Sequence, residues 1–121
     1  MSTRCFIGIQ MDSDAIIGIY NHHDGYLKGV GATLLQHYTT EKQIWKLLSY
    51  GNRPSLDVTP EKGNIREGDY TGPIFGRSIN EIFEQLPGID FVYVYDRLNG
   101  IWKFETIEEH TLMELTREIT S

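Results

Sequence analysis

Two hairpin patterns, one near each end of the chain, restrict the folds open to this sequence more than any other feature. Near the start, apolar runs at residues 6–10 and 15–20 flank a short polar turn of hairpin length. Near the end, residues 91–96 and 101–107 form two strand-like runs joined through Asn99-Gly100, and Asn-Gly is the strongest short hairpin signal. We therefore expect an antiparallel sheet built from an N-terminal and a C-terminal hairpin.

The residues between and after the hairpins have helical spacing. Thr40 with Gln43, and Ser78 with Glu81, have the spacing of capping boxes, and each pair precedes the apolar stripe of a helix. A further helix is predicted from the apolar stripe Gly31, Leu34, Leu35 and Tyr38. Another is predicted near the C-terminus, where Thr106 and Glu109 have capping spacing and Leu112, Leu115 and Ile119 form the stripe. The pattern predicts an α+β fold with helices packed on one face of the sheet. A chain of 121 residues fits a single ligand-binding domain, residues 1–121, with one core.

Charge and composition exclude several classes of partner. The net charge is −6, and residues 61–121 hold twelve acidic residues against six basic ones. Long nucleic acid needs a broad basic surface, whereas a small phosphorylated ligand needs only two or three local cations. The single cysteine, Cys5, agrees with a reducing compartment, and no apolar run approaches the ~18 residues of a membrane helix. We expect a protein of the cytoplasm that binds neither long nucleic acid nor membrane.

The run at residues 91–96 is apolar on both sides, because Phe91, Tyr93 and Tyr95 alternate with two valines. One side must face the helices, and a side left to water would normally carry polar residues. The tyrosine row is therefore a candidate surface for a second copy of the chain, which predicts a homo-oligomer. The alternative is a sheet whose core is two-sided.

A polar knot, residues 22–26 with the sequence His-His-Asp-Gly-Tyr, follows the first hairpin. Adjacent histidines on an extended segment point to opposite sides, and no cysteine pair or spaced third histidine completes a site, so we expect no metal. A general-base pair of His23 and Asp24 lacks a recognisable nucleophile. The structural alternative is a turn in which Asn21 and Asp24 side chains bond nearby backbone N–H groups. The following Gly29-Val-Gly31 lacks the third glycine of a dinucleotide fingerprint and predicts only a tight turn.

Several residues of the second half are of the types that bind nucleotides. They lie where a long predicted loop, residues 52–73, leads into a capped helix, and on the turn of the C-terminal hairpin. Aromatic rings stack on bases, arginines bind phosphates, and asparagines read an adenine edge. The residues of these types at the two places are Tyr70, Phe75, Arg77, Asn80, Arg97 and Asn99. Each has an ordinary alternative, since surface arginines are common and the turn itself explains Asn99.

The N-terminal sequence also resembles a known family. The run from Ile19 to Lys42, followed by Leu-Leu-Ser-Tyr-Gly at residues 47–51, is similar to small phage and prophage proteins. These combine a Tyr-x-His-x-Asp-Gly-Tyr segment, a Gly-x-Gly-x-x-Leu-Leu helix and a His-Tyr-Thr junction. It resembles the anti-Thoeris sponge proteins, which bind cyclic ADP-ribose isomers made by a bacterial TIR-domain defence enzyme and sequester them without cleavage. The resemblance covers residues 5–51, and many members have an aromatic residue where this chain has His23.

The resemblance implies a phage-encoded, homo-oligomeric ligand trap that acts in the host cytoplasm, with pockets where subunits meet. It implies a binding protein that is not an enzyme and uses no cofactor, metal or catalytic residue, and some relatives also capture cyclic oligonucleotides. The ligand residues expected on this basis fall into a few roles. They are Arg77 and Arg97 for phosphates, Phe75 or Tyr70 for stacking on adenine, Asn80 or Asn99 for the adenine edge, and His23 and Asp24 for ribose hydroxyls or for bracing the wall.

Two alternatives belong to other functional classes. One is a small nucleotide hydrolase or phosphodiesterase that uses His22, His23 and Asp24. The other is a phage assembly or host-takeover module that binds a protein through the tyrosine-rich face of its sheet.

Overall fold

The computed structural model describes residues 2–61 and 72–121. Strands and helices alternate irregularly along the chain, and a π-helical turn, Leu27–Gly31, leads into the first α-helix. The elements in order are β1 (Cys5–Gln10), β2 (Ile16–Asn21), α1 (Ala32–His37), α2 (Glu41–Ser49), β3 (Ile74–Gly76), α3 (Ile79–Gln85), β4 (Phe91–Asp96), β5 (Ile101–Thr106), β6 (Met113–Glu114) and α4 (Arg117–Thr120).

The strands form one six-stranded sheet in the order β3-β2-β1-β4-β5-β6. The N-terminal hairpin pairs β1 with β2, Ile7 lying opposite Ile19, and the C-terminal hairpin pairs β4 with β5, Tyr93 lying opposite Phe104. The predicted α+β class and the two hairpins are confirmed. The hairpins join through β1 and β4, which run parallel. The sequence does not reveal this direction, because each turn orients only the two strands of its own hairpin.

Both faces of the sheet are covered. Ile7 and Tyr93 pack with residues of α1 and α2 on one face, whereas Phe6 and Val92 pack with α3 on the other. The helices therefore lie on both faces, and the prediction that they share one face is wrong for α3. The reason is the strand composition: side chains on both sides of β1 and β4 are apolar, and each side must be buried.

The tyrosine row lies in the core. Tyr93 is fully buried and Tyr95 is 8% exposed, and both belong to the cluster under α1 and α2. The row is thus no surface for a second copy of the chain, and the two-sided core is the correct alternative. The homo-oligomer stays a prediction that must rest on another surface.

The helix starts follow the predicted chemistry. The Thr40 hydroxyl accepts a hydrogen bond from the Gln43 N–H, and the Gln43 side chain accepts one from the Thr40 N–H, which completes a capping box at α2. At α3 the Ser78 hydroxyl accepts from the Glu81 N–H, but the Glu81 carboxylate accepts from the Arg77 N–H instead of completing the box.

The C-terminal segment is not the single helix that the spacing predicts. Thr106 accepts a hydrogen bond from the Glu109 N–H in a turn, and the chain then continues as β6, which pairs with β5. Leu115 donates its N–H to the Trp102 carbonyl and is buried in the cluster under α1 and α2. This path pairs the free edge of β5 and buries Leu115 in the core.

Candidate functional site

The polar knot turns the chain sharply between β2 and α1. Asp24 adopts a φ of 57°, the left-handed region that few residues other than glycine enter. Its carbonyl oxygen accepts a hydrogen bond from the Val30 N–H at 2.8 Å. A Cβ on Gly29 would overlap that same carbonyl oxygen, so glycine is required there for the close approach. The predicted tight turn is present, and a π-helical turn carries it into α1.

The two histidine rings of the knot meet edge to face, with centroids 4.6 Å apart. Nδ1 of His22 is hydrogen-bonded to the Tyr20 hydroxyl at 2.7 Å, and Nδ1 of His23 to the Ser2 hydroxyl at 2.7 Å. The expectation that adjacent histidines diverge is therefore wrong, because β2 ends at Asn21 and the chain bends at His23. His23 and Asp24 are both exposed.

The turn between β4 and β5 places Arg97 and Asn99 at the end of the sheet that is opposite the polar knot. β1 and β4 are parallel, so the knot lies near their starts and the turn after β4 lies beyond their ends. Six residues of β1 span about 17 Å. Within one chain, His23 and Asp24 therefore do not share a pocket with Arg97 and Asn99.

Both of these turn residues are already engaged. Nε of Arg97 lies 3.0 Å from a Glu41 carboxylate oxygen, and its Nη1 lies 3.5 Å from Asp12. The Asn99 side-chain amide donates to the Asp96 carboxylate at 2.7 Å. That hydrogen bond, with those from Lys103 and the Asn99 backbone, lowers the pKa of Asp96 to about 2, against a smaller opposing effect of burial.

Two further predicted residues, Phe75 and Arg77, lie on the edge strand β3 and just after it. Phe75 is 54% exposed on β3, opposite Ile17 of β2. The Arg77 side chain is 85% exposed, and its Nε lies 3.8 Å from Glu81. Tyr70 lies outside the described residues, as do residues 62–71 of the predicted loop. Phe75 and Arg77 are thus accessible, but neither lines a described cleft.

Asn80 lines a groove of about 350 Å³ between α3, the ends of the central strands and the C-terminal segment. The groove is also lined by four titratable groups, the basic side chains of Lys103 and His110 and the carboxylates of Asp14 and Glu105. Lys103 Nζ lies 3.0 Å from Asp96, and His110 Nδ1 lies 3.1 Å from the buried Glu105 carboxylate. Neither Lys103 nor His110 is among the ligand residues predicted from the sequence. The position of Lys103 could have been predicted from the alternation of side chains along β5. Trp102 and Phe104 point into the core on one face, so Lys103 between them lies on the opposite, α3 face.

A second cleft, of about 600 Å³, adjoins this groove and shares Gln10, Asp14 and Lys103 with it. Arg97 lines the second cleft. Four carboxylates, those of Asp12, Asp14, Glu41 and Asp96, line it as well. A phosphate would therefore have to displace carboxylates from Arg97, and those solvent-exposed pairs are weak enough to exchange.

A third cleft, of about 730 Å³, lies beside the knot at the opposite end of the sheet. Tyr26 of the knot and Phe91 of β4 line it, together with the carboxylate residues Asp90, Glu108 and Glu109. The chain therefore has clefts at both ends of its central strands.

Comparison with protein-family models, with curated proteins and with solved structures returned no match to the chain. Within residues 2–61 and 72–121, no helix combines the length and apolar character needed to cross a bilayer. In the same residues, no three His, Cys, Asp or Glu side chains come together as metal ligands.

Proposed function

We propose that this protein is a non-catalytic trap, encoded by a phage or prophage, for a cyclic ADP-ribose-type nucleotide signal. It would act in the host cytoplasm by removing the signal that a bacterial TIR-domain enzyme makes, and so block Thoeris immunity. The proposal rests on the resemblance of residues 5–51 to the sponge proteins and on one feature of the fold, the groove beside α3.

The groove carries the proposal because it combines the group types that a dinucleotide-like ligand needs. The Asn80 amide can pair with an adenine edge, the Lys103 ammonium can meet a phosphate, and the Ser78 hydroxyl can bond a ribose or phosphate oxygen. Arg97 lies in the adjoining cleft, next to the shared Lys103. A ligand that spans both clefts would reach both cations.

A homo-oligomer would bring together predicted ligand residues that lie far apart within one chain. His23 and Asp24 lie at one end of the central strands, and Arg97 and Asn80 lie at the other. One ligand can contact both sets only where two chains meet. Mixing two binding-deficient variants, Asp24→Ala and Arg97→Ala, tests this: a shared pocket regains part of its binding sites in mixed oligomers, whereas pockets within one chain regain none.

Heat release of the ligand tests the trap directly. The protein is incubated with a cyclic ADP-ribose isomer and freed of unbound ligand, then heat-denatured, and the supernatant is analysed by chromatography. A trap releases intact ligand in proportion to protein. Product in the supernatant would show turnover and refute the proposal.

Calorimetry with single-residue variants tests which basic side chains bind the phosphates. Arg97→Ala and Arg77→Ala should each weaken binding, as should Lys103→Ala, whereas Lys42→Ala, an exposed lysine on α2, should not. If both arginine variants bind like the unaltered chain, the phosphate assignment is wrong.

A hydrolase remains the rival function because of one observation, the contact of His22 with His23 and their hydrogen bonds to Tyr20 and Ser2. Cys5 is no nucleophile for it, since the side chain is fully buried and burial raises the pKa of the thiol. A His22→Ala variant distinguishes the two functions: it would abolish turnover by a hydrolase and leave heat release of intact ligand by a trap.

A further inference from the structure

The groove beside α3 has one wall that is built differently from the others. Residues 107–112, which we call the strap, connect β5 to β6, and all six are exposed to solvent. His110 and Leu112 of the strap nevertheless line the groove. The other lining residues belong to the sheet, to the turn between β1 and β2 and to the start of α3. The strap is thus a thin wall with the groove on one side and solvent on the other.

The backbone of the strap is bonded to neighbouring elements only near its two ends, within the part of the chain that the structure describes. At one end the Ile107 N–H donates to the Asp90 carbonyl at 2.9 Å, and at the other end β6 pairs with β5. Between these anchors the backbone hydrogen bonds are local, from the Thr111 N–H to the Glu109 carbonyl and from the Glu109 N–H to the Thr106 hydroxyl. An exposed segment with so few bonds to the core opens at a lower free energy than the whole fold.

One side chain, that of His110, connects the middle of the strap to the body of the fold. Its Nδ1 lies 3.1 Å from a Glu105 carboxylate oxygen, and its ring meets Phe83 of α3 edge to face, with centroids 5.4 Å apart. Among residues 2–61 and 72–121, no other strap side chain makes a hydrogen bond or an ion pair. The strap is therefore held against the groove chiefly through His110.

The partner of His110 is a buried carboxylate. Glu105 is 7% exposed and lies on the α3 face of β5, opposite Val92, which belongs to the apolar cluster under α3. A carboxylate in such surroundings is stabilised by a hydrogen bond and destabilised when it loses one. Closing the strap therefore satisfies Glu105, and lifting the strap removes the His110 contact from that carboxylate. The contact gives the strap a defined closed position.

We propose that the strap is a lid on the groove and that the contact of His110 with Glu105 is its latch. The lid opens when that contact breaks, which gives a ligand access from the strap side, and it closes with His110 and Leu112 against the ligand. Retention of a nucleotide signal under the lid rests on the proposed function. The latch itself is a property of the ligand-free chain.

Limited proteolysis with a Glu-specific endoprotease tests the latch without ligand. Cleavage after Glu108 and Glu109 requires the strap to leave the groove, so its rate follows the population of the open lid. His110→Ala should accelerate this cleavage several-fold. His110→Gln, whose amide can still donate to Glu105, should be cleaved at an intermediate rate. The control is His37→Ala, which removes an exposed histidine from α1 and should have no effect.

Cleavage after Glu84 in α3 and the urea midpoint report on the whole fold, and both should be similar in every variant. The latch is overturned if His110→Ala is cleaved in the strap at the rate of the unaltered chain. It is also overturned if cleavage after Glu84 rises in step with cleavage in the strap, because the variant would then have lost global stability.

Binding kinetics test the lid. For a cyclic ADP-ribose isomer followed by surface plasmon resonance, His110→Ala should raise both the association and the dissociation rate constant several-fold, because an unlatched lid gates neither step. A rise in the dissociation rate constant alone would show that His110 is an ordinary contact residue and would overturn the lid. If the unaltered chain binds no isomer, the proposed trap is refuted, while the proteolysis still decides whether His110 latches the strap.

Discussion

The Tyr93 hydroxyl donates a hydrogen bond to the Gly25 carbonyl at 2.7 Å, which joins the central strand β4 to the polar knot across 68 residues of sequence. Tyr93 is fully buried, and burial raises the pKa of its hydroxyl, which therefore stays a donor. This bond connects the core of the sheet to the corner from which Tyr26 projects.

Replacing Tyr93 by phenylalanine should destabilise the protein. The change removes the donor and leaves the Gly25 carbonyl without it in a buried position, which costs about 1–3 kcal/mol. Urea denaturation followed by circular dichroism measures the difference in the free energy of unfolding. The matched control is Tyr26→Phe, because that hydroxyl is on an exposed ring and should contribute close to nothing. Equal stabilities for both variants would contradict the role of the bond.

The two glycines of Gly29-Val-Gly31 should respond in opposite ways to alanine. Gly29→Ala forces a Cβ against the Asp24 carbonyl and should cost about 1–3 kcal/mol. Gly31→Ala meets only ordinary contacts, the nearest at 3.4 Å to Leu115 and Tyr93, and alanine favours a helical backbone by about 1 kcal/mol. Thermal melting of the two variants tests the prediction. It fails if Gly31→Ala is the more destabilising of the pair.

The turn after β4 should contribute to stability in a way that depends on pH. The pKa of Asp96 falls from 3.8 to about 2 on folding, so its contribution is fully present above pH 3.8 and disappears as the pH falls through 2. Asp96→Asn should therefore lower stability at pH 7 by about 1–2 kcal/mol. The difference from the unaltered chain should shrink between pH 4 and 2. For Asp12→Asn, whose carboxylate is fully exposed, we expect a small difference at every pH.

The C-terminal segment provides a pair of leucines that separates the observed path from the predicted helix. Leu115 is 2% exposed, and Leu112 is 43% exposed. Leu115→Ala should cost about 2–5 kcal/mol because it opens a cavity in the core, whereas Leu112→Ala should change stability little. A regular helix after Glu109 with both leucines on its apolar stripe would give similar losses. Chemical denaturation of the two variants decides between them.

Local chemistry made the two hairpins and the two caps predictable. The Asn99-Gly100 turn, and the pairs Thr40–Gln43 and Ser78–Glu81, act within a few residues of sequence, so their residue types determine the conformation. The prediction of a single last helix is wrong because Leu115 and its neighbours are more stable paired with β5 and packed in the core than in a helix. That gain depends on pairing with the preceding strand and on a core completed by distant elements, and the helical spacing of the segment shows neither.

The candidate site was predicted less well than the fold. Chemical type identified Asn80 and Arg97, which line adjoining clefts, but type does not show that His23 and Asp24 lie at the other end of the sheet. Lys103 was missed because it is surrounded in sequence by core residues. Its position depends on the alternation of β5 and on the space that α3 leaves uncovered.

The parallel pairing of β1 with β4 determines the order in which this protein can be completed. Bringing Cys5 opposite Phe91 closes a loop of about 85 residues, which costs more entropy than either hairpin turn. During synthesis the first hairpin leaves the ribosome long before its partner exists, with the β4 side of β1 unpaired. The complete sheet therefore forms only after β4 has been translated, and until then the β4 side of β1 is an unpaired strand edge of the kind that can pair with another copy.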